Sequence, residues 1–133
     1  MTRGSESLAR TPLFASLAAE DIRSLDSRCV WRRVSAGAWV IDDHADGMDV
    51  FFVLSGHARV VIGGSAREII LRDIHDGDYF GELSAIDGRP RSAGIIAITD
   101  TIVAQMPASV FREMIHRHPS VCDQVLSSLA SVI

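Results

Sequence analysis

The sequence predicts a mainly β domain with helices at both ends. Short apolar runs between residues 30 and 106 are separated by turns that contain glycine. Apolar residues recur at helical spacing before residue 29 and after residue 107. Several short strands at this spacing are typical of a sandwich, a barrel or a jelly roll.

Composition indicates one globular domain that spans residues 1–133. The chain is 47% hydrophobic and 23% charged, and its net charge of −4 does not favour direct contact with nucleic acid. No segment approaches the roughly 20 apolar residues of a membrane span, so we expect no membrane contact. Cys29 and Cys122 are far apart and lack a CxxC spacing. We therefore predict buried thiols and a reducing, cytoplasmic location.

The N-terminal part predicts a helical segment over residues 8–28. Pro12 marks its start, and an approximate helical stripe follows, formed by Leu13, Leu17, Ile22 and Leu25. From Cys29 to Met106 the pattern changes to strands. The predicted strands cover residues 30–34, 39–41, 50–54, 58–62, 68–71, 92–98 and 101–106, with a helical turn over 83–87.

Two helices are predicted over residues 107–133. The first begins near Pro107 and Ser109 and ends near His116, and the second begins at Pro119. One face of the second helix carries Val121, Val125, Leu129 and Val132, and this face needs a partner. The helix reaches Ile133 without a glycine cap or a basic last turn, so we expect it to continue further.

The segment Phe80-Gly81-Glu82-Leu83-Ser84, followed by Arg91 behind a proline, carries the clearest chemistry. A carboxylate at residue 82 accepts hydrogen bonds from hydroxyls, and a guanidinium at residue 91 is suited to phosphate. Gly81 permits close backbone approach, and the amides of Leu83 and Ser84 would point at an anion if they open a helical turn. The two side chains would therefore suit a ligand that carries both a vicinal hydroxyl and a phosphate, and a nucleotide has both groups.

The full string FGELSAIDGRPRSA, residues 80–93, resembles the phosphate-binding cassette of the cyclic nucleotide-binding domain family. This family includes bacterial catabolite activators, regulatory subunits of cyclic-AMP-dependent protein kinase and nucleotide-gated channels. The resemblance extends upstream over most of the chain, through Gly37, Asp46-Gly47, the run 50–54 with Gly56, and Gly77-Asp78.

The resemblance implies a β-roll over residues 29–106 and a set of ligand contacts. Glu82 would hold the ribose 2′-hydroxyl, Arg91 the cyclic phosphate, and Ser92 would face the base. The other implied ligand-binding residues are Gly81, Leu83, Ser84, Ala93, Val60 and Leu71. Val60 and Leu71 fit equally well as plain core residues. Ser92 can satisfy either purine. Threonine or serine at this position can favour guanine in some family members, whereas serine also occurs in cyclic-AMP sensors of the catabolite-activator type.

The implied function is that of a non-enzymatic regulatory domain without a cofactor, which binds cAMP or cGMP. Its C-terminal helix would relay occupancy to an effector beyond Ile133, for example a DNA-binding domain, and could pair with its copy in a homodimer. One alternative is a degenerate copy of the domain, retained for protein interaction or dimerisation.

A second alternative is a cupin-like metal enzyme, because His44, Asp46 and Asp49 faintly echo the first cupin metal motif. No later histidine falls in a matching context, so we predict no metal ligands. His57 and His75 are interpreted as isolated residues beside turn glycines. No motif supports catalysis.

Overall fold

The computed structural model describes residues 7–41, 47–62, 69–88 and 93–130, without the side chains of Ile69 and Leu71. Two short 3-10 helices, Leu8–Arg10 and Pro12–Phe14, precede the first α-helix. The four α-helices described are α1 (Ala19–Ser27), α2 (Glu82–Asp87), α3 (Ala108–Arg117) and α4 (Pro119–Ala130). The strands described are β1 (Val30–Val34), β2 (Trp39–Ile41), β3 (Val50–Ser55), β4 (His57–Ile62), β5 (Ile69–His75), β6 (Tyr79–Phe80), β7 (Gly94–Ala97) and β8 (Thr101–Met106).

These strands form two antiparallel sheets that pack face to face. One sheet has the order β1-β8-β3-β6 and the other the order β2-β7-β4-β5. The helices cover the outer side of the first sheet, where the largest buried side chains are Phe14, Phe52 and Phe111. This arrangement confirms the predicted mainly β fold, a β-roll with flanking helices.

Strand β3 is buried on both of its faces because the first sheet lies between the helices and the second sheet. Val50 and Phe52 point into the core beneath the helices, whereas Phe51 and Val53 point into the core between the sheets. Successive side chains of a strand point to opposite faces, so a strand covered on both sides needs a continuous apolar run. This explains the sequence VFFVL at residues 50–54.

The predicted helical segment over residues 8–28 is divided into three pieces. Pro12 has no backbone N–H and disfavours helical geometry at Thr11, whose ψ of 124° is extended. The chain therefore forms two 3-10 turns, and the α-helix begins only at Ala19. The buried Asp26 carboxylate of α1 accepts hydrogen bonds from the Leu8 backbone N–H and the Ser7 hydroxyl, and so fixes the first turn.

The apolar face of α4 packs on the core of its own domain. Val121 and Val125 are buried there, and Leu129 is half-buried against the same cluster. The partner that this face needs is therefore the helix-covered side of the first sheet. The exposed large apolar side chain of α4 in the described range is Leu126, at 57% exposure, while Val132 and Ile133 lie outside the described residues.

No disulfide joins Cys29 and Cys122, and each of these side chains is half-buried rather than fully buried as predicted. None of the described helices combines the length and the apolar character needed to cross a bilayer.

Candidate functional site

The site predicted from the sequence begins where β6 ends. Strand β6 pairs with β3 through Phe52↔Tyr79 and Phe51↔Phe80. The backbone then turns at Gly81, whose φ of 101° lies in the left-handed region that glycine adopts without strain. Helix α2 starts at once with Glu82 and ends at Asp87, and Gly88 caps its C-terminus with a φ of 75°.

Glu82 is half-buried in the first turn of α2. Burial raises the pKa of its carboxyl group above the ordinary value of 4.5, while backbone N–H groups and the charge of Arg72 act in the opposite direction. None of the ion pairs formed between described residues includes Glu82. A carboxylate held in this way can accept further hydrogen bonds from a ligand.

Arg72 is a neighbour of the site that the sequence did not reveal. Its Nη2 donates a hydrogen bond to the Tyr79 carbonyl oxygen at 3.3 Å, which places β5 beside β6 just before Gly81. The positive charge of Arg72 lowers the pKa of both Glu82 and Tyr79, against the upward effect of burial on each. Arg72 therefore favours the ionised, acceptor form of Glu82.

Helix α2 is also attached to α3. Arg112 of α3 donates from Nη1 to the Ala85 carbonyl oxygen at 2.9 Å. Ala85 itself is fully buried and belongs to the core beneath the helices. A long cationic side chain commonly satisfies a carbonyl near a helix end, but its partner cannot be read from sequence spacing.

The other predicted site residues have varied environments. Ser84 is buried, whereas Leu83 is exposed at 57%, and Ala93 is buried beside the start of β7. Val60 is fully buried in the core between the sheets, where it is paired with Arg72 on one side and Ile95 on the other. This supports the core interpretation of Val60, and a ligand contact stays a prediction. Arg91, Ser92 and the side chain of Leu71 lie outside the described residues.

Two histidines interpreted as isolated are neighbours. The antiparallel register of β4 and β5 places His57 directly opposite His75, and their rings stack with centroids 4.4 Å apart. The two histidines are eighteen positions apart in the sequence, and only the register of the hairpin brings them together. Of the cupin-like set, His44 and Asp46 lie outside the described residues, and Asp49 accepts a hydrogen bond from Gln105.

A family model supplies the deciding comparison. The model for the cyclic nucleotide-binding domain matches residues 31–118, from β1 to the end of α3. The chain belongs to the cyclic nucleotide-binding domain family. The matched range contains the cassette and both sheets, so the family assignment and the observed β-roll agree.

Curated relatives of this domain are much longer proteins. A lysophospholipase of Aspergillus oryzae is 30% identical over 107 residues, which are 80% of this chain and 7% of that protein. A cAMP-dependent protein kinase regulatory subunit of Colletotrichum orbiculare is 27% identical over 108 residues, 81% of this chain and 27% of that protein. The chain therefore spans less than a third of the length of either relative.

Solved structures support the same family. The catabolite activator protein of Thermus thermophilus is 28% identical, with a TM-score of 0.76 over 91% of this chain and 57% of that one. The regulatory domain of Toxoplasma gondii protein kinase A, solved with cAMP, is 25% identical, with a TM-score of 0.76 over 95% of this chain and 48% of that one. The sensor domain of the Pseudomonas aeruginosa regulator DNR, at 16% identity and a TM-score of 0.80, shares the fold over 93% of this chain and 84% of that one.

Proposed function

We propose that the chain binds a cyclic purine mononucleotide, with cAMP preferred over cGMP. The observation that carries the proposal is the half-buried Glu82 carboxylate, held directly after Gly81 at the start of α2. Burial of an ionisable group costs free energy, and such groups are retained more often at functional sites than elsewhere. A ribose 2′-hydroxyl is a suitable donor to this carboxylate.

The preference for cAMP rests on relatives. The kinase subunit of Colletotrichum orbiculare is named for its dependence on cAMP, and the Toxoplasma gondii regulatory domain was solved with cAMP. Ser92 would face the base and can donate or accept a hydrogen bond, so it fits this choice without enforcing it. A titration in which cGMP competes better than cAMP, and loses its advantage in Ser92→Ala, would reverse the preference.

Arg91 is the proposed phosphate ligand. Calorimetric titration of the protein with cAMP and with cGMP tests the proposal directly, and Arg91→Ala should weaken binding by about 2–5 kcal/mol. Arg89→Ala is the matched control, since it removes the same charge from the same segment. Equal losses of binding free energy in the two variants would mean that Arg91 contributes only general electrostatic attraction to the nucleotide. If the parent protein binds neither nucleotide, the alternative of a degenerate domain retained for protein interaction or dimerisation is favoured.

The proposed contact of Glu82 with the ribose is tested by a two-ligand comparison. Glu82→Ala should weaken the binding of cAMP more than that of 2′-deoxy-cAMP, because the deoxy ligand has no hydroxyl to lose. If both ligands lose the same free energy, Glu82 does not contact this hydroxyl.

We further propose that the chain is a regulatory domain without catalytic activity of its own, which relays occupancy through α3 and α4 to an effector such as a DNA-binding domain. The contact of Arg112 with Ala85 supports this route, since it joins the helix that contains Glu82 to α3. Pairing of two copies through α4 is part of the same proposal, and the exposed Leu126 is its candidate contact. Sedimentation of Leu126→Gln beside the parent protein, each with and without cAMP, tests the pairing.

A further inference from the structure

A cluster of side chains that could bind a metal lies on the hairpin of β4 and β5. His57 and Arg59 of β4 stand directly opposite His75 and Asp73 of β5. Residues two apart share a face of a strand, so all four belong to one face. The alternate residues Ala58, Val60 and Ile74 are buried in the core between the sheets. The cluster therefore occupies the outer face of this sheet.

Three side chains of the cluster are positioned like ligands of one ion. The candidate ligand atoms of His57, Asp73 and His75 all lie within 4.8 Å of one another. His57 Nε2 is 2.9 Å from Asp73 Oδ2. Directly opposed residues of antiparallel strands have Cβ atoms about 4.5–5.5 Å apart, which lets two imidazoles reach a common ion.

Arg59 fixes the carboxylate of Asp73. Its Nε donates to Oδ1 at 2.8 Å, and Oδ2 is left facing His57, with a longer contact of 3.3 Å to Arg59 Nη2. The contacts with Arg59 and His57 together hold both oxygens of the Asp73 carboxylate in place. Carboxylates that bind metals are commonly oriented by a second hydrogen-bonding group of this kind. The charge of Arg59 also repels a cation, which limits the affinity.

We propose that His57, Asp73 and His75 bind a divalent transition-metal ion such as Zn²⁺ or Ni²⁺. Two imidazole nitrogens and one carboxylate oxygen suit these ions, whereas Mg²⁺ and Ca²⁺ prefer oxygen ligands throughout. The ion takes the place of the proton between His57 Nε2 and Asp73 Oδ2. His75 is exposed, and its ring turns out of the stack to supply the third ligand, with water completing the coordination.

Such an ion would cross-link β4 and β5 beside the turn that leads to the cassette. Asp76 in this turn accepts a hydrogen bond from the Gly56 backbone N–H, and the Asp78 carbonyl accepts one from the Val53 backbone N–H. Metal binding would therefore stabilise the hairpin end and the turn together, independently of whether a nucleotide is bound.

The test is a Zn²⁺ titration of the whole chain without nucleotide, in competition with a chromophoric chelator. We expect one ion per chain, and binding at least about tenfold weaker in His75→Gln and in His57→Gln, since even loss of a group that only orients a ligand costs about 10- to 100-fold. His116→Gln, an exposed histidine on α3, is the control and should bind as the parent does. Mg²⁺ should not compete.

A second measurement needs no variant. Zn²⁺ should shift or broaden the NMR signals of the His57 and His75 rings before those of His116 and His118. Unchanged His57 and His75 signals at saturation overturn the proposal, as does unchanged affinity in both His→Gln variants, for example through ions held by Cys29 or Cys122. Because no nucleotide is present, these outcomes are independent of nucleotide binding.

Discussion

The Arg112 guanidinium donates to the Ala85 carbonyl oxygen at 2.9 Å, and so joins the helix of the cassette to the first C-terminal helix. Glu82 lies one turn earlier on that cassette helix, and its position depends on how α2 is held. We therefore expect a change at α3 to affect the proposed ribose contact in part through this side chain.

Replacing Arg112 tests this connection. Arg112→Ala should lower the free energy of unfolding by about 1–2 kcal/mol, the usual value of one such hydrogen bond, and weaken cAMP binding by up to about tenfold. Denaturant titration and calorimetry measure the two effects. Arg117→Ala removes an exposed arginine from the same helix and is the control. Unaltered cAMP affinity in Arg112→Ala would show that the Arg112 contact is not needed to hold Glu82 in place.

Ligand binding should also reach the helices in the unmodified protein. We expect cAMP to slow amide hydrogen exchange in α3 as well as in α2, because the Arg112 contact opposes the separate opening of either helix. Exchange followed by mass spectrometry, with and without cAMP, measures this. Protection confined to α2, or equal protection in Arg112→Ala, would exclude Arg112 as the connection.

The raised pKa of Glu82 predicts a pH dependence with a defined sign. The folded protein holds this proton more tightly than the unfolded chain, so the stability that Glu82 contributes is present below pH 4.5 and lost as pH rises through the raised value. Glu82→Gln should therefore match the parent near pH 4 and be more stable than it at neutral pH. At the same time it should bind cAMP less tightly.

Unfolding curves across this pH range provide the measurement for Glu82→Gln. Glu20→Gln, which changes an exposed carboxylate of α1, is the matched control and should not reproduce the divergence. A Glu82→Gln variant that is less stable than the parent at neutral pH would mean that the protein stabilises the ionised carboxylate in the absence of ligand.

The turn between β3 and β4 requires glycine for two reasons. Gly56 has a φ of 114°, and a Cβ there would lie 2.7 Å from the Asp100 carbonyl oxygen and 2.8 Å from the Thr101 Cα. Gly37 shares the positive φ, at 85°, but a Cβ there would meet nothing within 4 Å. Gly37→Ala should cost about 1–2 kcal/mol of stability through backbone strain alone, and Gly56→Ala about 2–5 kcal/mol. Equal losses in thermal unfolding would mean that the turn moves to relieve the contact.

Nucleotide binding should not depend on a metal ion. The groups proposed to bind the nucleotide are a carboxylate, a guanidinium and a hydroxyl. The cluster of His57, Asp73 and His75 lies on the outer face of its sheet. We expect cAMP affinity to be the same with and without EDTA, and in His44→Ala. A loss of affinity on chelation that is reproduced by His44→Ala would revive the cupin-like alternative.

The strands with continuous or alternating apolar patterns could be predicted from the sequence, and those without a pattern could not. The limits of β8, Thr101–Met106, agree with the prediction, and β3 differs from it by one residue. Strand β6 was missed because two residues, Tyr79 and Phe80, show no periodicity. Strand β5 runs to His75, four residues further than predicted, because Arg72 and Asp73 join the ladder through pairing with β4.

Only part of the candidate site could be predicted from the sequence. Glu82 and its glycine could be identified because their positions are local in sequence and match a family motif. Arg72 and Arg112 could not, since each has a long side chain whose acceptor belongs to a different element. The pairing of His57 with His75 depends on the register of a hairpin, which apolar periodicity alone does not determine.

The burial of β3 on both faces has a consequence for how the protein unfolds. Phe52 belongs to the core under the helices and Phe51 to the core between the sheets, so neither core can open without disrupting a strand that the other one needs. The two layers should lose structure together, in one cooperative transition. The amides of β3 should then exchange only through global unfolding. They should therefore be among the slowest to exchange, and their exchange should measure the free energy of global unfolding.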